Sequence, residues 1–283
     1  TTLFRSRSEE RRVGKECIFM AITTTDGLIS GLNGAQRFSF YKTSATAEGA
    51  GTFHSLFKVA GLPGAGSTPS TTAAVPTNAT AGAIKFTNPP SGKSYLGRLS
   101  VTSSTVGTFV LYDRLMHVSG LSGTQTTTDT AVSNTALTRY TSGIGVEAFV
   151  EWYTAIGATG ATLNVRYTDT EDNTNQVGTY THPANAESVG QMAPILLAAG
   201  DLGVKALTAY HWSISTGTAG DFGITLLKRI AEVPITLANV PTILNAVDLG
   251  MPEIVNDACL CFMMLCSTTN TGTVFGSFDI IQG

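Results

Sequence analysis

The chain has 283 residues, 42% of them hydrophobic and only 13% charged, with a mean hydropathy of +0.16; that is enough apolar side chain to bury a core, which excludes a disordered chain. A formal net charge of −3, from 17 basic and 20 acidic residues, supplies no general attraction to nucleic acid or to an anionic membrane. No apolar run reaches the ~18 residues of a membrane-spanning helix.

The first element is a charge run, Arg7–Cys17 (RSEERRVGKEC), whose alternating signs are foreign to the rest of the chain. The character changes at Met20, where MAITTTDGLISGL opens with Met followed by a small residue. Residues 1–19 contain Arg5, Arg7, Arg11, Arg12 and Lys15 against Glu9, Glu10 and Glu16. Without them 12 basic and 17 acidic residues remain, a net of −5. Residues 1–19 are therefore read as a leader foreign to the fold, and any basic partner-binding arm rests on them alone.

Residues 20–95 read as an N-terminal arm and loop-rich segment. Its least structured part, GLPGAGSTPSTTAAVPTNATAG from Gly61 to Gly82, offers few large apolar residues and is expected to run as an extended surface loop. From 96 to 283 a β pattern takes over. YLGRLSVTSSTVGTFVLYDRLMHV predicts two strands around a Ser-Thr-Val-Gly turn. GVEAFVEWY places Val146, Ala148, Val150 and Trp152 on one face, with Glu147 and Glu151 on the other. ATLNVRYTD turns Leu163, Val165 and Tyr167 inward, and the turn 155–160 is expected to join these two strands as a hairpin. Two more hairpins are expected, one around TGTAGD and one between CLCFMMLC and TVFGSFDII. One short helix is predicted near 241–249, with Pro241 in its first turn and Gly250 just past its end. The predicted fold is all-β, an antiparallel, jelly-roll-like β-sandwich with an extended arm.

Chemistry-bearing motifs are sparse. Cys17 stands alone, and Cys259, Cys261 and Cys266 crowd one apolar strand, so the thiols read as free and buried in a reducing compartment. Ser91-Gly-Lys-Ser94 ends like a phosphate loop, but Thr87 stands where the loop needs glycine and two prolines precede it. Asp221-Phe222-Gly223 lacks the companion motifs of a kinase. His54, His117, His182 and His211 are scattered singly. One oxygen-rich loop, Tyr167–Gln176, carries Asp169, Glu171 and Asp172 as weak candidate calcium ligands; its spacing lacks the EF-hand register, and the turn-forming habit of Asp and Asn accounts for it. No cofactor and no catalytic residue is expected. Core packing accounts for most of Trp152, Tyr153, Tyr167, Tyr180, Tyr210 and Trp212, with a sugar-stacking face as the lesser alternative. Glu147 and Glu151 lie about 13 Å apart along their strand at ~3.3 Å per residue, too far for a glycosidase pair.

The run MAITTTDGLISGL…RFSF, then HSLFKVAGLPGAG, FTNPPSGKSYLGRLSV, GTFVLYDRLMHVSGL, PILLAAGDLGVKALTAYHWSIS, LLKRIAEVPITLANVP and GSFDIIQG, resembles a group of tailed-bacteriophage virion structural proteins of the capsid-auxiliary or decoration type. The resemblance covers nearly everything from Met20 to Gly283. It implies a protein without enzymatic activity that sits on the virion capsid surface. Its partner would be the major capsid protein of the phage head, in the form of a homo-oligomer, a trimer by preference, assembled in the bacterial host cytoplasm. A receptor- or carbohydrate-binding fibre or tail module is the alternative, and a polysaccharide hydrolase a weaker one. Back-translated with natural codons, Arg7–Cys17 resembles a short-read sequencing adapter fused in frame, which agrees with setting 1–19 aside.

Overall fold

A computed structural model describes residues 22–43, 49–126, 128–185, 187–268 and 272–283. The charge run, Cys17 and the Met20 boundary lie outside the described residues. The described chain opens with helix α1 (Thr25–Asn33), capped by the Thr24 hydroxyl, which accepts the Gly27 amide at 3.1 Å. Strands β1 (Gln36–Thr43), β2 (Phe53–Ser55) and β3 (Gly61–Leu62) follow, and then β4 (Ser94–Ser103), β5 (Gly107–Leu121) and β6 (Thr130–Ala131). Next come β7 (Val146–Thr154), β8 (Ala161–Thr168), β9 (Gln176–His182), β10 (Gln191–Pro194), β11 (Ala206–Trp212) and β12 (Asp221–Ile235). The chain closes with β13 (Thr242–Asn245), helix α2 (Ala246–Leu249), β14 (Glu253–Ile254), β15 (Leu260–Cys266) and β16 (Thr273–Gln282).

Every ladder is antiparallel, and the all-β expectation holds. The strands form three units. A closed barrel runs β10-β2-β15-β5-β12-β7, one open sheet runs β13-β4-β16-β1-β3 with β14 beside β4, and a second runs β6-β11-β8-β9. Three apolar clusters fix how they pack. One joins Trp152, Phe222 and Val118 of the barrel to Leu163, Tyr210 and Trp212 of the four-stranded sheet. A second joins Phe109, Val233 and Phe262 to Phe40, Leu99 and Phe278 of the larger sheet. The third, including Tyr112, Phe149 and Met263, fills the barrel itself. The barrel is thus the middle of three layers, with a sheet packed on each side.

The β5–β12 pair is the spine. Phe109 and Leu111 near its start face one sheet, while Met116 and Val118 further on face the other. A pure alternation would carry the outward set through 109, 111, 113 and 115 and then miss Met116. The ladder instead jumps, Arg114 pairing with Leu227 and Met116 with Leu226, so Leu115 is an extra residue in the strand. This β-bulge shifts the pleat by one and keeps apolar side chains outward in both halves.

The expected hairpins around 155–160, around TGTAGD and between CLCFMMLC and TVFGSFDII do not form. β7 pairs with β10 and β12, whereas β8 pairs with β9 and β11. β11 and β12 likewise part between layers, as do β15 and β16. The strand spans were legible because alternation is a local property; the partners were not, because each connection crosses from one layer to another. Among the described strands only β8 and β9, which flank the Asp169 loop, pair as sequence neighbours.

The short helix predicted near 241–249 forms over Ala246–Leu249 only, and a strand takes the first half of the span. Thr242–Asn245 pairs with β4, as its β-branched Thr and Ile favour. Asn245 then caps α2 in a capping box with Asp248, and Gly250 ends it at φ 68°. Helix α1 was not foreseen. Within the 20–95 segment, β1 pairs along its whole length with β16, β2 is a barrel strand, and Phe40, Leu56 and Phe57 are buried. Within the span from Gly61 to Gly82, Gly61–Leu62 pairs with β1 and the stretch from Pro69 to Ala74 lies along β5 of its own molecule. Ala74 bridges His117, and Ser70 and Pro69 carbonyls accept from Ser119 at 3.0 and 2.6 Å.

Candidate functional site

Polar side chains concentrate at one end of the barrel interior. Arg114 Nη2 donates to Glu151 Oε2 at 2.5 Å, and the Tyr153 and Thr225 hydroxyls donate to the same oxygen at 2.9 and 3.0 Å. Arg114 Nε donates to His117 Nδ1 at 2.9 Å, a contact between residues three apart that the Leu115 bulge brings onto one face. The guanidinium also stacks over the Phe57 ring at 4.7 Å. Burial alone would push the Glu151 carboxyl up, but Arg114's charge and the three hydrogen bonds outweigh it and hold Glu151 below the usual carboxylate range. Burial, then Arg114's charge, pushes His117 down to about 3, so its Nδ1 is a neutral acceptor.

Two further ion pairs brace the same strands. Arg139 grips Asp113 with two prongs, Nε to Oδ2 and Nη2 to Oδ1, both 2.9 Å, and donates to the carbonyls of Pro76 and Arg114 at 2.9 and 3.0 Å. Glu147 accepts from Arg229 twice at 3.1 Å and from the Tyr112 hydroxyl at 3.1 Å. Glu147 and Glu151 therefore share a strand but each is committed to its own arginine, and they do not form an opposed acid–base pair. Chemically these groups are braces: each joins strands, or a strand and the overlying segment, through charge-assisted bonds, in a low dielectric for the buried Arg114–Glu151 and Arg139–Asp113 pairs and near the surface for Arg229–Glu147.

The aromatics are core, the favoured of the two expectations, and not a sugar-stacking face. Trp152 and Trp212 are 0% exposed and Tyr210 3%. Tyr210 and Trp212 do share a face, as alternation indicated, but that face covers the barrel, where both rings meet Phe222 edge-on at 5.6 Å. Tyr153 and Tyr167 are buried as well, and Tyr180 gives its hydroxyl to Glu187 Oε1 at 2.8 Å.

The candidate calcium ligands are engaged otherwise. Asp169 Oδ1 accepts the amides of Glu171 and Asn173 at 2.8 and 2.9 Å, and Oδ2 accepts Asn173 Nδ2 at 2.7 Å. Asp172 is bridged to Lys205 at 2.7 Å, and Glu171 is exposed. The loop is an Asx-type turn closing β8 onto β9. Cys259, Cys261 and Cys266 are buried, and burial raises the Cys259 thiol to about 12. His54 is buried, His182 faces Glu187 at 3.1 Å, and His211 meets Asp129 at 2.6 Å. Among the described residues no three His, Cys, Asp or Glu side chains group as metal ligands, and no helix is long and apolar enough to cross a membrane.

Sequence reasoning missed Arg114, His117, Arg139, Thr225 and Lys42. The signal was present in LYDRLMHV, where two charges interrupt an apolar strand. A buried Lys42 was less readable: its Nζ donates to the carbonyls of Val59, Pro63 and Gly64 at 2.9, 2.7 and 3.4 Å. Two surface grooves complete the picture. A cavity of about 520 Å³ lies between β1 and residues 80–85, lined by Arg37, Phe38, Leu62, Ile84 and Lys85 among others. A smaller one, about 190 Å³, is lined by Ile195, Leu197 and Leu202 beside the exposed Ile144 and Leu196.

No protein-family model matches the chain, and the search of curated proteins returns no match. Among solved structures the chain is similar to the VP2 subviral particle of infectious bursal disease virus, at 11% identity over 88% of this chain and 81% of that one, with a TM-score of 0.20. The T=1 particles derived from the same virus align over 88% and 78%, at 11% identity and a TM-score of 0.20. The functional reading therefore rests on the residues of the chain itself.

Proposed function

We propose that this chain is a structural protein of a tailed-phage virion, a decoration protein that binds the outside of the assembled head shell through the major capsid protein. The resemblance of its motifs from Met20 to Gly283 to that group supports the reading. The observation that carries it is where the molecule puts its side chains. The Arg114–Glu151 and Arg139–Asp113 pairs are turned inward as braces, whereas Leu202 lines the smaller groove at 62% exposure and Ile144, bridged to the adjoining Gly203, stands 55% exposed. Clustered exposed aliphatics mark contact surfaces. A protein that binds the assembled lattice and not the free subunits stabilises assembly by mass action.

The purified protein should co-sediment with expanded head shells lacking it and raise the temperature at which they come apart. Ile144→Asp/Leu202→Asp should abolish both effects while the variant still melts cooperatively. Shells that neither bind the protein nor gain stability would exclude the decoration role.

A further inference from the structure

The larger open sheet ends in two unlike edges. On one side β3 covers β1 only at Tyr41 and Lys42. Next to them Arg37, Phe38 and Ser39 line the 520 Å³ groove. At its far end Gln36 closes the groove by exchanging hydrogen bonds with the Thr87 backbone at 2.7 and 2.8 Å. Among the described residues no strand pairs with Arg37–Phe40 on that side. The groove's opposite wall, 80–85, is held against the core. A Cβ on Gly82 would lie 2.8 Å from both Gly66 and the Phe57 ring. Arg37 and Lys85 line the groove, and no carboxylate does.

On the other edge, β13 pairs with β4 alone among the described strands. It is four residues long and exposes Ile243 at 51%, flanked by Val240 at 47% and Val247 at 82%. Asp248 stands exposed just beyond it.

We infer that this sheet continues from one copy of the chain to the next, with β13 of a second copy docking beside Arg37–Phe40 in the groove. Three properties of the two edges agree. The first is direction. Strands alternate through β13-β4-β16-β1, so a copy rotated about an axis along the strands brings its β13 antiparallel to β1, on the side where β3 already runs antiparallel. The second is length and pleat. The open stretch of β1 spans four residues, as β13 does. Aligning Ser39 with Ile243 puts Phe38 opposite Leu244 and Arg37 opposite Asn245. Inward then meets inward and outward meets outward. The third is charge. β13 carries no cation and has the exposed Asp248 just past its end, whereas two β1 edges meeting each other would confront Arg37 and Lys85 with their own kind. The contact is heterologous, so it builds a ring where the rotation between copies closes and an open filament where it does not. Strand addition supplies the affinity, and the aliphatic side chains supply the register. It needs no shell, so it stands or falls apart from the decoration role.

The test mixes two full-length variants, Ser39→Cys and Ile243→Cys, each also carrying Cys17→Ser, under mild oxidation. Residues opposite one another across antiparallel strands are within disulfide reach. A covalent pair should form in the mixture and in neither variant alone. A cross-link in Ser39→Cys alone would overturn the proposal in favour of an edge-to-edge dimer, and no cross-link in the mixture would overturn it outright. Sedimentation gives a second readout. Ile243→Lys should weaken self-association at least tenfold and return the protein to its 29.5 kDa monomer with unchanged melting. A wild-type chain that is monomeric at all concentrations, or an associated Ile243→Lys variant, would refute it.

Discussion

Arg114 and Glu151 meet at 2.5 Å inside the barrel, at 1% and 0% side-chain exposure, and the same carboxylate oxygen collects two hydroxyls. A pair buried to this depth is costly to leave half made, because the surviving charge has no water to turn to.

Glu151→Gln should therefore destabilise the fold by about 3–5 kcal/mol, seen as a lowered denaturation midpoint. Replacing both partners, as Arg114→Met with Glu151→Leu, should recover most of that loss, since an apolar pair of similar volume carries no stranded charge. A double-mutant cycle measures the coupling; additive losses would show that the two groups act independently.

Acid should unfold the protein early. Burial, offset in part by the charge of Glu187, pushes His54 down to about 4, and burial with Arg114's charge pushes His117 to about 3. Both histidines take up a proton on unfolding at pH values between these and about 6.5. Their contribution is complete above pH 6.5 and is lost as the pH falls, at about 1.4 kcal/mol per pH unit for each. His182, raised by its bonds to Glu187 and Gly157 despite burial, works in the opposite direction. His117→Gln should flatten the fall of stability between pH 6.5 and about 4; an unchanged slope would refute the assignment.

Tyr210→Ala and Trp212→Ala should each cost about 3–5 kcal/mol in stability, because both rings pack on Phe222. A folded, equally stable variant with altered glycan binding would return these rings to a surface role.

Asp169→Ala should lower the melting temperature by a few degrees, through loss of the three bonds that close its turn. Added calcium should leave the melting of the wild-type protein where it is, since those oxygens are already taken. A calcium-dependent rise lost in Asp169→Ala would reverse this reading.

The strands of this fold were legible where one residue decides one face. Val146, Ala148, Val150 and Trp152 alternate into the core as their pattern required, and so do Leu163, Val165 and Tyr167. Pairing was not legible, because nothing local distinguishes a turn that returns to the same sheet from one that crosses a layer. The Arg114–His117 contact was hidden for a related reason. Unbroken alternation puts residues three apart on opposite faces, and only the bulge at Leu115, visible in the ladder and not in the composition, brings them together. Pro241 and Gly250 pointed to a helix between them, but pairing with β4 claimed the first half of that span.

The marriage of β1 to β16 has a consequence for how the protein comes into being. The two strands pair from Gln36 with Ile280 to Thr43 with Thr273, the first and last of the described strands, and β16 also separates β1 from β4. While the chain emerges from the ribosome, β3 can cover Tyr41 and Lys42 early, but the other flank of β1 stands bare until Thr273–Gln282 has been made. The sheet is therefore completed by pairing two strands far apart in sequence, a slow step by that separation. A nascent chain cut short of Thr273 leaves β1 and β4 without the strand that joins them, and such exposed edges are the material from which aggregates grow.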